Sequence, residues 1–352
     1  DMLSEDQIEE IARRSLQYIA MYNVINKGAM QDENPMKTGW NGTYAAEGLL
    51  DHTMKAIARP NNDTLYVTSI LDLYNEPIVV HYPAFDSKFV CLETSAYDHY
   101  CEIPMSTTKG DFKEPVKILY YSARSQGYSG EPVEGVEKTM EMSGDFVITF
   151  LRVMPHATEP DRLKKNLDAM QQVRVQTLSE FLGKNSHKLE KIDFPAFNTD
   201  VGIFENNFLE VMQFVFNHTT FDPEDEMDQA VLAAFNPLGI EPGKAYDPDS
   251  VAKIDGKKFA AAAEKVFEES IAILSEPEGN PYLFDMFKPK GEMKLEAMVL
   301  QSATGPVGVP ADQAVYPAIA TADGQPMNAQ NDYVIRMSKD SMPPAEAFWS
   351  VT

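Results

Sequence analysis

Thr64-Leu-Tyr-Val-Thr-Ser-Ile-Leu-Asp72 is the first of several short segments rich in Val, Ile, Tyr, Phe and Thr. Turn-forming residues such as Ser129-Gly130 separate these segments, and no helical pattern lies between them. Parallel strands would need crossover helices, so the arrangement predicts an antiparallel sandwich. The further strands are predicted at Pro77–Tyr82, Lys88–Thr94, Val116–Tyr121 and Phe146–Met154.

Helical periodicity lies on both sides of this strand-rich region. A capping-box pattern at Ser4 and Gln7 predicts a helix over residues 4–26, and the polar composition of residues 28–50 predicts a long loop. After residue 158, apolar residues recur at helical spacing and predict a helical layer. Its four helices are expected at 158–182, 203–217, 222–236 and 257–274.

Strand character returns after residue 305, at Ala314–Thr321, Tyr333–Met337 and Ala347–Thr352. An unpaired final strand would leave backbone donors and acceptors without partners. We therefore expect further residues, or a strand from a neighbouring subunit, to complete this edge. The predicted parts are an N-terminal helix and loop (1–50), an antiparallel β-sandwich (51–157), a helical domain (158–290) and the start of a further β-domain (291–352).

Composition restricts the partners of this 352-residue chain, whose formal net charge is −24. Phosphate binding needs Lys and Arg, so a nucleic-acid partner is not expected. The apolar runs are also shorter than the ~20 residues of a membrane span. The first residue is Asp1 rather than Met, which indicates a removed secretory signal or a trimmed chain. We expect a periplasmic or secreted protein.

The two cysteines, Cys91 and Cys101, allow two interpretations. They could form a disulfide if the residues between them make a hairpin, or they could be two buried thiols. They cannot form a zinc cluster alone. The six histidines do not have the spacing of a local metal site. No cofactor is therefore expected. If the protein binds an ion, the candidate is a divalent cation such as calcium.

Two sets of motifs resemble known families. Arg59-Pro-Asn-Asn-Asp-Thr-Leu-Tyr66 resembles the signature of the domain of unknown function numbered 1254. Ala314-Val-Tyr-Pro317, Tyr333-Val-Ile-Arg336 and Phe348-Trp-Ser350 resemble the companion domain numbered 1214. The resemblance implies an immunoglobulin-like sandwich, a small helical bundle and a C-terminal jelly roll, which is partial here. The predicted fold class is mostly β with a helical domain, and the resemblance implies no particular activity.

The Arg59–Tyr66 run contains the strongest candidate site. Arg59 offers a planar fork for a carboxylate or sulfate, and Asn61 and Asn62 offer amide donors and acceptors. Asp63 could act as a general base or ligate a hard cation, and Tyr66 could contact a ligand. The alternative is that Asn and Asp side chains only hydrogen-bond the local backbone at a strand entry.

A second candidate lies at Tyr97-Asp98-His99. Asp98 could orient His99 as a general base if a turn brings their side chains together, and Tyr97 could contact the ligand. The alternative is a polar hairpin tip. Trp349 is a candidate pocket wall, although an aromatic residue in an apolar strand is also typical of a core.

Two classes of function fit these observations. The first is a binding or assembly component, as a homo-oligomer or with a partner chain, for a glycan or a small-molecule ligand. This class is preferred because no nucleophile–base pair is evident. The alternative is an enzyme acting on a small or carbohydrate-like substrate where sandwich and helical domain meet. Arg59, Asn62, Asp63 and Asp98 would line its cleft.

Overall fold

A computed structural model describes residues 2–55, 61–186 and 188–352. The described helices are α1 (Glu5–Met30), α2 (Pro160–Met170), α3 (Leu178–Phe181), α4 (Asp200–Asn206), α5 (Phe208–Asn217), α6 (Glu226–Phe235), α7 (Gly256–Leu274) and α8 (Leu295–Thr304). The described strands are β1 (Gly42–Ala45), β2 (Leu65–Asp72), β3 (Ile78–Tyr82), β4 (Val90–Ala96), β5 (Cys101–Ser106), β6 (Val116–Ser122), β7 (Lys138–Met142), β8 (Phe146–Val153) and β9 (Arg174–Thr177).

The strands form two sheets. The five-stranded sheet has the order β1-β2-β8-β4-β5 and is antiparallel throughout. The four-stranded sheet has the order β7-β6-β3-β9 and is mixed, because β6 and β7 run parallel. Side chains from both sheets, such as Val67 and Leu151 of one and Val80 and Ile118 of the other, form one hydrophobic cluster.

The helices cover the opposite face of the five-stranded sheet. Ile70, Phe146 and Ile148 point from that face into a second hydrophobic cluster with α1, α4, α5, α6 and α7. Helix α1 contacts all of these helices and α8, and the predicted capping box at its start is confirmed. The helical layer is therefore built around the N-terminal helix, which the sequence analysis assigned to a separate part.

Several sequence predictions are wrong in detail. The fold is not mostly β, because about 31% of the residues are helical and 16% are in strands. The helix predicted over 158–182 is interrupted by β9, whose alternating residues pair with β3. The helix predicted over 203–217 is broken at Asn207, between α4 and α5. The loop predicted at 28–50 contains the end of α1 and strand β1.

The C-terminal strands predicted after residue 305 are absent from the structure. Residues 305–352 contain only a short 3-10 turn at Lys339–Ser341, and helix α8 precedes them. An extended segment forms a β-strand only when its backbone hydrogen-bonds to a neighbouring strand. No described segment pairs with these residues in this way. The segment nevertheless packs on the protein through Val309, Ala314 and Phe348.

The cysteines lie on neighbouring strands of one hairpin, as predicted, but they do not form a disulfide. Cys91 lies opposite Ser106, whereas Cys101 lies opposite Ser95. Four residues along a strand correspond to roughly 13 Å, beyond the ~7 Å between Cα atoms that a bridge allows. Both thiols are free and buried. The prediction of a periplasmic or secreted protein gains no support from them.

Candidate functional site

An open cleft of about 520 Å³ lies where the sheets meet the helical layer. Tyr74 follows β2, and Arg124 and Gln126 follow β6. Glu190 precedes α4, and Asn217 and His218 stand at the C-terminal end of α5. Each lining side chain is polar or aromatic, so the cleft offers hydrogen-bonding groups beside its apolar surface.

An Asp–His pair forms one wall of this cleft. His218 Nδ1 donates a hydrogen bond to Asp145 Oδ2 at a distance of 2.7 Å. Asp145 is fully buried, whereas the side chain of His218 retains 12% exposure toward the cleft. Because Nδ1 carries the proton, the neutral imidazole has Nε2 as its acceptor. This is the arrangement in which a carboxylate orients a histidine for proton transfer.

Asp145 is itself held by further donors. The Ser122 hydroxyl donates to Oδ1 at 2.6 Å, and Arg124 Nε donates to Oδ2 at 2.8 Å. Its backbone amide donates to the His218 carbonyl at 3.0 Å, which ties the start of β8 to the end of α5. A carboxylate with this many partners is fixed in position, so the orientation of His218 is fixed with it.

Aromatic rings support the other faces of the imidazole. The ring centroids of Phe214 and Phe146 lie 4.5 and 5.0 Å from that of His218. Tyr74 makes an edge contact at 5.2 Å from the side of the cleft. The histidine therefore has a packed body and a polar edge, which restricts its rotamers.

Asp98 lies in a different cluster. Lys290 Nζ lies 3.1 Å from Asp98 Oδ2 and 2.7 Å from Asp228 Oδ2, and above the Tyr100 ring at 5.2 Å. Asp98 and Asp228 are both fully buried. Burial raises the pKa of Asp228 to about 6, although Lys290 opposes the shift. Asp98 is thus one partner of a buried ion pair.

His99 does not pair with Asp98. Its Nδ1 shares a hydrogen bond with the Ser302 hydroxyl at 2.9 Å, and Nε2 donates to the Pro306 carbonyl at 2.6 Å. Burial lowers the pKa of His99 to about 4, so the ring is neutral at physiological pH. Both ring nitrogens are engaged, and the predicted Asp98–His99 pair is not formed. Tyr97 is also buried, and its hydroxyl donates to Asn26.

The residues of the Arg59–Tyr66 run have separate environments. Arg59 lies outside the described residues. Asn61 accepts hydrogen bonds from the backbone amides of Asp63 and Thr64, and Asn62 is exposed. The alternative of local backbone capping therefore holds for Asn61. Asp63 is half-buried and accepts a hydrogen bond from Ser350 at 2.5 Å.

Tyr66 and Trp349 lie near the C-terminal segment. The Arg152 guanidinium lies 5.8 Å from the centroid of the Tyr66 ring and 5.9 Å from that of Tyr316. Trp349 is 45% exposed, so it is neither part of the core nor a wall of the cleft. Of the predicted site residues that the structure describes, none lines the cleft with His218.

Glu93, on β4, is a buried acid that the sequence analysis did not single out. It is only 2% exposed, and burial raises its pKa to about 8. Arg152, the Ser95 hydroxyl and the Gly308 backbone amide oppose this shift. The native protein therefore holds a proton on Glu93 at neutral pH, where an unfolded chain does not.

This proton predicts a pH-dependent stability. Between about pH 4.5 and pH 8 the native state binds a proton that the unfolded state releases, so stability falls as the pH rises. Replacing Glu93 by Gln should remove this loss. The free energy of unfolding of this variant should exceed that of the natural protein by a margin that grows across that pH range, to the order of a few kcal/mol. Urea unfolding at pH 5 and pH 8 measures it. The exposed Glu114→Gln should show no such trend, and a parallel pH profile for both variants would refute the assignment.

A metal site is not evident in the part of the chain that the structure describes. No three His, Cys, Asp or Glu side chains come together there in a way that could hold an ion. None of the described helices is long and apolar enough to cross a membrane.

The sequence contained little signal for the residues that form the cleft. Asp145 follows a glycine at the start of a strand, and His218 is one of six histidines without the spacing of a local metal site. Asp145 and His218 are separated by 73 positions, so only the packing of α5 against β8 reveals the pair. A cleft between the sandwich and the helical domain was expected from the sequence, but with other residues lining it.

Two family models match the chain. Residues 40–177 match the family described as "Protein of unknown function (DUF1254)", and residues 312–352 match "Protein of unknown function (DUF1214)". The resemblance found in the sequence is confirmed. No curated protein matches the sequence.

The fold is similar to that of the VPA0106 protein from Vibrio parahaemolyticus. The two chains are 22% identical, with a TM-score of 0.61, and the match covers 87% of this chain and 68% of that one. At this identity the likeness concerns the fold alone. An uncharacterized protein from Burkholderia cenocepacia is 13% identical over 40% of this chain and 36% of that one, with a TM-score of 0.24.

Proposed function

We propose that this chain, whose residues 40–177 and 312–352 belong to the DUF1254 and DUF1214 families, is an enzyme of general acid–base chemistry. Its substrate is a small carbohydrate-like molecule bound in the cleft beside His218. The observation that carries the proposal is the 2.7 Å hydrogen bond by which buried Asp145 orients His218 at the wall of an open cleft.

His218 is the proton acceptor in this proposal. Its Nδ1 proton is committed to Asp145, so Nε2 provides the lone pair. When the ring takes up a proton from water or a substrate hydroxyl, the Asp145 carboxylate stabilises the resulting imidazolium. The reverse transfer returns the proton to the leaving oxygen. Phe214 and Phe146 keep the ring in one orientation throughout.

The lining of the cleft supports a neutral, hydroxyl-rich substrate. The charge of Arg124 is balanced by Asp145, and Glu190 adds a carboxylate, so the cleft does not favour anions. Gln126 offers both donors and acceptors to hydroxyl groups, and Tyr74 offers an aromatic edge. This chemistry matches the carbohydrate-like substrate of the sequence-based alternative.

Replacing His218 by Gln tests the proposal. The variant keeps a polar side chain but cannot accept and release a proton, so turnover should fall by about 100-fold or more. A panel of p-nitrophenyl glycosides and acetylated sugars, followed by absorbance and released acetate, supplies the assay. The matched control is His81→Gln, since His81 bonds Gln176 in the four-stranded sheet. Equal loss in both variants, or no turnover by the natural protein, would refute the proposal.

A second candidate is a secreted or periplasmic binding or assembly component. It is favoured by exposed apolar side chains along the DUF1214 segment, such as Val334 (79% exposed) and Tyr316 (63%). In this proposal the segment belongs to a jelly roll, the two sheets form an immunoglobulin-like sandwich, and a partner chain or second copy covers the segment. Calcium or another divalent cation remains its candidate ion. Sedimentation velocity would report a monomer at all concentrations if the assembly were wrong.

A further inference from the structure

A row of polar residues crosses the same face of the five-stranded sheet as Ile70 and Ile148, at the end of the sheet beyond these two residues. Tyr66 on β2 lies opposite Arg152 on β8, and Arg152 lies opposite Cys91 on β4. Glu93 is two residues from Cys91 on the same face. The C-terminal segment covers this end of the sheet through Val309, Ala314 and Phe348.

Two buried polar atoms in this row lack protein partners. Arg152 is 5% exposed and Glu93 is 2% exposed. Arg152 Nε and Glu93 Oε2 are both buried without a hydrogen-bond partner among the described residues. The two side chains also do not form an ion pair within 4.0 Å. Buried polar groups are nearly always satisfied, so these two atoms point to a bound molecule.

Two tyrosines fix the guanidinium of Arg152. Its Nη2 donates to the Tyr316 hydroxyl at 2.6 Å, and the rings of Tyr66 and Tyr316 lie within 6 Å of its central carbon. Tyr66 belongs to the DUF1254 match and Tyr316 to the DUF1214 match. The site is therefore built by residues of both families, and its planar fork is preorganised.

The charge of the site selects the ligand. Burial raises the pKa of Glu93 to about 8, so this side chain is a neutral hydrogen-bond donor at neutral pH. Burial also raises the pKa of Cys91 to about 12, which keeps the thiol protonated. The site then has one positive charge and one acid proton to donate. A singly charged, planar anion balances it, whereas a doubly charged phosphate leaves a buried negative charge.

We propose that Arg152 and Glu93 form a second binding site, which holds a small monocarboxylate beneath the C-terminal segment. The carboxylate of the ligand accepts hydrogen bonds from the Arg152 guanidinium. The carboxyl group of Glu93 donates a hydrogen bond to the same ligand. The segment forms the roof: Ser106 donates to Gln313 at 2.5 Å, Ser350 donates to Asp63, and Phe348 packs on Phe89. Val309 and Ala314 add apolar contacts to this roof.

Carboxylate binding to the natural protein and to Arg152 variants tests this site. Acetate, lactate and benzoate are titrated at constant ionic strength and pH 7, with phosphate and chloride as comparison anions, and saturation-transfer NMR reports binding. At least one carboxylate should bind saturably, and phosphate should not compete. Arg152→Met should weaken binding by about tenfold or more, because the charge-assisted pair is lost. The matched control Arg124→Met, which alters the cleft, should bind as the natural protein does.

The variant Arg152→Lys keeps the assay decisive if Arg152→Met does not fold. Lysine retains the charge beside Glu93 but lacks the planar fork, so binding should still fall by about tenfold. Near-UV circular dichroism confirms the fold of each variant. Unchanged carboxylate binding in a folded Arg152 variant would overturn the proposal. The same holds if no carboxylate binds, if phosphate binds as tightly, or if Arg124→Met alone abolishes binding.

Discussion

Replacing Lys290 by Met is expected to lower the free energy of unfolding by about 3–5 kcal/mol at neutral pH. Lys290 is the cation that lies between the buried carboxylates of Asp98 and Asp228. Met has a similar volume and leaves both carboxylates uncompensated. The loss is large because, without Lys290, nothing offsets the free energy needed to bury the two carboxylates away from water.

The position of this cluster makes the effect global. Asp98 follows β4, Asp228 lies in α6, and Lys290 lies between α7 and α8. Lys290 also donates to the Thr220 carbonyl at 3.1 Å. The ion pairs therefore join the five-stranded sheet to the helical layer, and their loss weakens the contact between the two.

The pH dependence identifies the cause. The pKa of Asp228 is already raised to about 6 in the folded protein, above its ordinary value of 3.8, so its burial costs stability as the pH rises. Without Lys290 that cost is larger at pH 7 and is relieved when acid protonates Asp228. The deficit should therefore shrink between pH 7 and pH 5 in urea titrations.

The surface variant Lys265→Met provides the control for Lys290. Lys265 pairs with Glu9 at 2.9 Å, but its side chain is 57% exposed. Its replacement should leave the free energy of unfolding nearly unchanged. Similar small losses for both variants would show that the buried cluster contributes no net stability.

Replacing Phe146 by Ala is expected to lower the free energy of unfolding by about 3–5 kcal/mol. Phe146 is fully buried, and its ring lies 5.0 Å from Trp40 and 5.2 Å from Phe194. It also contacts His218, so the cavity would loosen the imidazole that Asp145 orients. Both stability and turnover should fall.

Two further variants separate these effects. Phe146→Leu fills most of the space and should recover much of the stability. Phe284→Ala removes a ring that is 67% exposed, and its effect should lie within about 0.5 kcal/mol. A loss of turnover in Phe146→Ala without a loss of stability would mean that the ring acts only on the site.

The sequence correctly predicted those helices and strands whose apolar residues recur at the positions that are buried in the structure. Strands β2 and β8 contain alternating apolar residues or long runs of β-branched residues. Both strands begin and end within two residues of their expected bounds. Helix α1 has its predicted capping box, and the structure adds the pairs Glu9–Arg13 and Glu10–Arg14 along it. These elements are set by short-range chemistry, so the sequence is sufficient for them.

Elements that depend on a distant partner were missed. β9 follows a helix and becomes a strand because residues 174–177 complete the edge of β3. The segments after residue 305 have the composition of strands, but they do not pair with another strand. The same limit applies to the cleft. Position along the chain placed it between sheet and helices, but no local rule links Asp145 with His218.

The position of β8 in the five-stranded sheet has a consequence for folding during synthesis. β8 lies between β2 and β4, although at least 49 residues separate it from either strand in sequence. A growing chain must therefore leave the ribosome to beyond Val153 before either earlier strand gains its central neighbour. Helix α1 precedes all the described strands, and it gains its contacts with α7 and α8 later still. Contacts of such long sequence separation slow folding, and until they form the nascent chain exposes apolar strands that chaperones can bind.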